Sequence, residues 1–152
     1  MSEIRAIPDG HPSVIPHLVV RNATQAIEFY KVAFEAEEIS RAPTPDGKSI
    51  MHAEIKIGDG RIFLCDESPQ MERWVSPKSL NGTTVAVHLW SSNVDALFEG
   101  AVKAGAKVVV PLTDMFWGDR YGRVTDPFGH EWSLAQHIKD VTPEEMAEAA
   151  AQ

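Results

Sequence analysis

The sequence predicts an α+β fold of two tandem βαβββ modules forming a cleft between curved mixed sheets, and three observations carry that prediction. First, PHLVVRNATQAIEFYKVAF sets over VHLWSSNVDALFEGAVKAG at a constant shift of 71 with no gap, so His17 falls on His88, Leu18 on Leu89 and Asn22 on Asn93. Second, each copy places an asparagine ahead of apolar residues at i, i+3, i+4 and i+7, the pattern of a capped amphipathic helix. Third, short β-branched runs bounded by turn residues flank each helix, which is strand chemistry. Agreement of strand, cap and helix phase at one shift weighs more than the few identities, because independent local signals converge on one repeat. A βαβββ module covers only one sheet face with its helix, so a cleft between repeats is the expected ligand site.

Pro8, Gly10 and Pro12 make the first dozen residues an irregular arm. Module one then runs over about residues 14–68. VIPHLVV (14–20) reads as its first strand, and Asn22 caps a helix whose apolar face is Ala26, Ile27, Phe29, Tyr30, Ala33 and Phe34. Pro43, Pro45, Asp46 and Gly47 mark a turn, which squeezes the second strand into 38–42. IMHAEIKI and RIFLCDE follow as a hairpin joined by Gly58-Asp59-Gly60. The polar stretch over about 69–81 is the linker. Module two, about 82–138, repeats the plan. TTVAVHLW is a strand, Asn93 a cap, and Val94, Leu97, Phe98, Ala101 and Val102 a helix face ending at Gly105. AKVVVPL, part of DMFWGDRYGRVTDPFG, and HEWSLAQH complete its strands. Thr142-x-x-Glu145 with Pro143 at the first helical position predicts a terminal helix over about 142–151. The whole of 1–152 is expected to be one domain.

The chain has 152 residues, 43% of them hydrophobic, enough for one buried core. A net charge of −8 and a pI of about 5.2 exclude a nucleic-acid surface, which needs clustered Lys and Arg. Arg120 and Arg123 approach such a cluster but are interrupted by Asp119, Tyr121 and Gly122. The acidity either attracts a cationic ligand or is the ordinary mild acidity of a cytosolic protein. No apolar run approaches the roughly 20 residues of a membrane span, and the N-terminus lacks the basic-then-apolar signal pattern. A single cysteine, Cys65, permits no intrachain disulfide, so a cytoplasmic location is expected; within RIFLC it reads as a buried small hydrophobe. There is no Gly-rich phosphate loop, CxxC, HExxH or GxSxG, which sets aside nucleotide, zinc-peptidase and serine-hydrolase readings.

The segment MFWGDRYGRV followed by DPFGH-x-W, after a strand, an asparagine cap and a helix bearing Phe29-Tyr30, resembles the PhnB-like branch of the vicinal oxygen chelate (glyoxalase/bleomycin resistance/dioxygenase) superfamily. The resemblance covers about residues 14–146. It implies the paired-module fold, a homodimer and a small-molecule ligand. It leaves the chemistry open, because the superfamily includes isomerases, lyases, dioxygenases, thiol transferases and non-catalytic drug-binding proteins.

Metal-dependent members hold a divalent ion with His and Glu side chains on the first and last strands of each module. His17, His88 and Glu131 are of suitable type. Counted from Phe29-Tyr30, Gly60, Ala104-Gly105-Ala106 and Gly129, however, the four ligand positions of the resemblance fall on Ile15, Leu64, Ala86 and Ser133. The period of two puts His17, His88 and Glu131 on the same faces as Ile15, Ala86 and Ser133, each displaced by about 6.6 Å. With first and last strands parallel, that displacement separates His88 from Glu131. The expectation is therefore no cofactor, with a shifted divalent-metal site of His17, His88 and Glu131 as the alternative.

Trp117 and Tyr121 offer planar faces for stacking, and Arg120 either clamps an anionic group or pairs locally with Asp119 in a tight turn. Trp90, on the face of His88, is a second cleft wall. Trp74 in the linker reads as a lid or dimer contact, Asp66 and Glu67 as cleft rim, and His52 as part of a solvated face with Glu54 and Lys56. The expected ligand-binding set is thus His17, His88, Trp90, Trp117, Arg120, Tyr121 and Glu131, with no catalytic residue assigned. The preferred function is a small-molecule-binding protein for a planar or cationic ligand; the alternatives are a metal-dependent lyase or isomerase, and a partner-binding protein with a vestigial cleft.

Overall fold

In the computed structural model, which describes residues 3–152, the chain divides into two compact units, one ending at Ser79 and one beginning at Leu80. Met1 and Ser2 of the expected arm lie outside the described residues. Unit one contains β1 (His17–Val20), α1 (Ala23–Phe34), β2 (Glu37–Pro43), β3 (Ile50–Ile57) and β4 (Gly60–Asp66), with α2 (Pro77–Leu80) running out of its linker. Its sheet order is β1-β4-β3-β2, with β1 parallel to β4 and the other neighbours antiparallel. The second unit contains β5 (Ala86–Trp90), α3 (Val94–Ala104), β6 (Lys107–Asp114), β7 (Asp119–Thr125), β8 (Glu131–His137) and α4 (Pro143–Ala150). Its order, β5-β8-β7-β6 with β5 parallel to β8, is the same topology. The α+β fold of two βαβββ modules is thus as the sequence predicts.

The predicted caps form. Asn22 Oδ1 accepts the Gln25 N–H at 3.1 Å and Asn93 Oδ1 the Ala96 N–H at 3.3 Å. Each last strand also holds its module's helix start, satisfying a further amide that the helix leaves unpaired. Asp66 Oδ1 accepts the Ala23 N–H at 2.8 Å in module one, and Gln136 Oε1 accepts the Val94 N–H at 3.0 Å in module two. Asp66 Oδ2 also accepts the Ile50 N–H at 2.7 Å. Asp66 is therefore a structural tie and not the exposed rim residue expected. Several strand limits differ from expectation, among them β5, which starts at Ala86 and not at Thr83, and β6, which runs on to Asp114. β1 begins only at His17, because Pro16 has no N–H to continue the ladder, and β2 is longer than 38–42.

The core of each module lies between helix and sheet. Leu18, Val20, Ile27, Tyr30, Ile55 and Leu64 are buried in module one, and Val94, Ala101, Val124, Trp132 and Leu134 in module two. Helix bulk and sheet bulk compensate each other. Ile27 and Phe98 hold corresponding helix positions, and the strand residues Ala53 and Gly122 correspond through their ladder partners Leu64 and Leu134. A Cβ at Gly122 would lie 2.5 Å from Phe98 Cε2 and 3.1 Å from Leu112 Cα. The larger helix residue thus fits only over the residue with no side chain.

Candidate functional site

Alternation along the strands sorts the side chains. Leu18, Val20, Ile62 and Leu64 turn to the helix, so the other face of module one carries His17, Phe63 and Glu54, aligned across β1, β4 and β3. His52 joins them: its ring centroid is 4.8 Å from Phe63 and 5.7 Å from His17, and His17 lies 6.0 Å from Phe63. The linker adds Trp74, edge-on to His17 at 4.9 Å. Glu67 anchors that linker by accepting the Ser76 N–H at 2.9 Å, the Ser79 hydroxyl at 2.7 Å and the Arg21 Nε–H at 3.2 Å. These bonds, the Ser76 amide foremost, hold the Glu67 carboxyl down at about 2. Partial loss of water, and then the neighbouring His52, push the His17 pKa below its ordinary value.

Glu54 is a buried carboxylate on this face, 6% exposed. It bonds Arg61 Nη1 at 2.6 Å and His11 Nε2, from the N-terminal arm, at 2.9 Å. Burial opposes its ionisation, yet its hydrogen bonds to His11 and Arg61 together hold its pKa below the ordinary value. His11 Nδ1 and Arg61 Nε remain buried without a hydrogen-bond partner among the described residues.

On the corresponding face of module two, His88 Nδ1 is 2.9 Å from Ser133 Oγ, and its ring lies 4.6 Å from Trp90 and 6.4 Å from Tyr121. Trp117 packs 5.7 Å from Tyr121 and Phe116 5.1 Å from Trp117. Desolvation lowers the His88 pKa, opposed by Asp119. Of the residues singled out in this module, His88, Trp90, Tyr121 and Trp117 therefore stand together. Arg120 does not join them. It pairs with Gln136 on the helix side of the sheet, where Asp95 and Asp114 hold its guanidinium at 2.9 and 3.0 Å. Local pairing with Asp119 does not form either: Asp119 bonds His137 Nδ1 at 2.9 Å.

Glu131 lies on the face of His88 but pairs with Ala86, whereas His88 pairs with Ser133, so the two are offset by about 6.6 Å along the strands. The Glu131 carboxylate is ion-paired with Arg123. His88 Nδ1 and the Glu131 carboxylate thus turn to different partners, and with this offset the two residues do not fit a shared metal ion. Among the described residues, no group of three or more His, Cys, Asp or Glu is arranged to hold one. One register count needs correction. Leu64 is the partner of Leu18 and faces the helix, while the position matching Ser133 is Phe63, because His17 pairs with Phe63 as His88 does with Ser133. The β3–β4 turn is one residue shorter than the β7–β8 turn, so Gly60 corresponds to His130 and not to Gly129.

Phe63 and the pairing of His11 and Arg61 with Glu54 escape a reading of the sequence, while Trp74, read there as a lid or dimer contact, packs against His17. His52 was expected on a solvated face. The alternation that places it with Glu54 is right, but Phe63 from the next strand packs on it, and Trp74 from the linker packs on the neighbouring His17.

The Glyoxalase/Bleomycin resistance protein/Dioxygenase superfamily profile matches residues 11–134. The chain belongs to that superfamily. An uncharacterized protein of Mycobacterium bovis is 49% identical over 140 residues, covering 91% of this chain and 91% of the relative. The X-ray structure of a gene product from Arabidopsis thaliana superposes with a TM-score of 0.67 at 29% identity, over 82% of this chain and 98% of that one. The fosfomycin resistance protein FosX of Listeria monocytogenes shares the fold, with a TM-score of 0.64 at 18% identity over 89% of this chain and 97% of its own. Among the described residues no helix is long and apolar enough to cross a membrane.

Proposed function

We propose that this superfamily member is a small-molecule-binding protein whose ligand lies against the helix-free sheet faces and needs no metal ion at the shifted His17, His88 and Glu131 positions. The observation that carries this reading is the contrast between the two faces of each sheet. The helix side is mostly apolar and buried, whereas the other side leaves His17 exposed with half-buried Trp74 in module one, and His88 and Trp90 exposed with half-buried Trp117 and Tyr121 in module two. Aromatic faces of this kind stack on planar ligands, and with a net charge of −8 they favour a planar cation. The reading includes a cytoplasmic homodimer, supported by the lone buried thiol of Cys65 and by exposed Val85, Val108 and Val109 on module two.

Thermal unfolding of the full chain against a panel of planar aromatic cations in EDTA tests the proposal. Saturable stabilisation that weakens in Trp90→Ala and Trp74→Ala is expected; a panel with no stabilising member retires it. The metal-dependent alternative draws on the Listeria FosX complex with Mn(II). Its local obstacle is the Arg123–Glu131 ion pair and the His88–Ser133 bond. A reaction lost on chelation, restored by a divalent ion and abolished in both His88→Ala and Glu131→Gln, would favour it instead.

A further inference from the structure

We propose that His17 and His52 form a two-histidine chelate for a divalent transition-metal ion, of the Cu(II), Ni(II) or Zn(II) class, within module one. Three other histidines each have at least one ring nitrogen engaged: His11 Nε2 with Glu54, His88 Nδ1 with Ser133, and both nitrogens of His137 with Asp119 and Asp140. His17 and His52, by contrast, make no hydrogen bond to protein groups among the described residues, and their rings stand edge to face at 5.7 Å and 88°. Two imidazoles ligating one ion through bonds of about 2 Å place their centroids at roughly 5 Å, so a small rotation of these rings brings the pair to chelating distance. Unprotonated imidazole is the ligand form such an ion requires. Imidazole suits Cu, Ni and Zn, and Cu(II) is held most strongly of these.

The donor set differs from the shifted site considered above. Both ligands lie in one module, one on β1 and one on β3, and neither Glu131 nor His88 takes part. Glu54 lies on the same face, but Arg61 and His11 occupy its oxygens. No third His, Cys, Asp or Glu among the described residues completes the set, so water or an incoming ligand fills the remaining coordination positions. Phe63 packs against both rings and Trp74 against that of His17.

Trp74, 4.9 Å from His17, supplies the readout, because bound Cu(II) quenches a neighbouring indole. The untagged full chain is titrated with Cu(II) alone while tryptophan emission is followed. Expected is saturable quenching at one equivalent per chain, lost in amplitude in Trp74→Phe, with the dissociation constant raised at least tenfold in both His17→Gln and His52→Gln. His17 is exposed and His52 half-buried, so both variants fold, and far-UV circular dichroism verifies it. The proposal is overturned by absence of saturable binding, by full affinity in either glutamine variant, or by an equal loss in His88→Ala, which would instead point to the shifted three-residue site. The ligand reading above is measured in EDTA, so failure of either leaves the other standing.

Discussion

Module one and module two each carry a diagonal ion pair on the helix-free face, and the charges are exchanged between them. In module one the carboxylate, Glu54, sits on β3 and the guanidinium, Arg61, on β4; in module two Arg123 sits on β7 and Glu131 on β8. The positions correspond through the ladders, since Glu54 pairs with Phe63 and Arg123 with Ser133. Sheet geometry therefore dictates where the two groups meet and is indifferent to which one is the anion. Burial is where the pairs part. Side-chain exposures are 8% and 15% for Glu54 and Arg61, against 27% and 32% for Glu131 and Arg123. The deeper carboxylate has recruited a second partner, His11, as an anion removed from water requires.

The largest expected effect follows from that difference. Glu54→Ala leaves the Arg61 guanidinium under-compensated in a buried setting and lowers stability by about 3 kcal/mol in urea titration, whereas Glu131→Ala costs about 1 kcal/mol. Equal losses would remove burial as the distinction between the modules. Next comes the Phe98–Gly122 fit. Gly122→Ala is expected to cost about 2 kcal/mol through overpacking, and adding Phe98→Ile, which recreates the Ile27 and Ala53 combination of module one, recovers most of it. Failure of the double variant to recover would show that the modules' helices seat differently.

Glu67 and His137 sharpen the comparison through pH. They hold corresponding positions at the ends of the two modules, and each clamps the segment that leaves its sheet. Glu67→Gln is expected to cost about 1 kcal/mol, the net worth of a charge-assisted hydrogen bond set against its replacement by an amide. Because the Glu67 carboxyl is held at about 2, its contribution is complete above the ordinary glutamate value and is lost as pH falls through that range towards 2. His137 behaves oppositely. Asp140 and then Asp119 raise its pKa above 6.5, so its contribution is present below 6.5 and is lost as pH rises through the raised value. Amide hydrogen exchange at Ser76 should quicken in acid, and exchange between residues 139 and 142 at mildly alkaline pH. The second change is the smallest of the set, because His137 is exposed.

Most of the fold was legible because its signals are local. Asn22 and Asn93 announce helix starts, Gly58-Asp59 a hairpin, and Thr142 with Pro143 the last helix, each through neighbours within four residues. The site was only half legible. Alternation correctly put His17, His88, Trp90 and Glu131 on helix-free faces, and the parallel pairing correctly kept His88 from Glu131. What the sequence hides is partnership across strands. Arg120 looked available until Asp95, far away in the chain on α3, closed on it. The single-residue difference between the two turns was likewise invisible from Gly60 and Gly129 alone, and it moved one expected position from Phe63 to Leu64.

Cys65 offers a practical opening. Its thiol is 2% exposed, and burial, with Asp66 adding to it, pushes its pKa up to about 11. At neutral pH roughly one molecule in ten thousand carries the thiolate that reacts with maleimides. The native chain is therefore silent to thiol-directed dyes. Cysteines introduced at exposed sites, such as Met51 on β3 and Val109 on β6, will take fluorophores without competition. Energy transfer between such a pair turns the protein into its own ruler, reporting the distance between the two sheets in solution and any change in it when a ligand arrives.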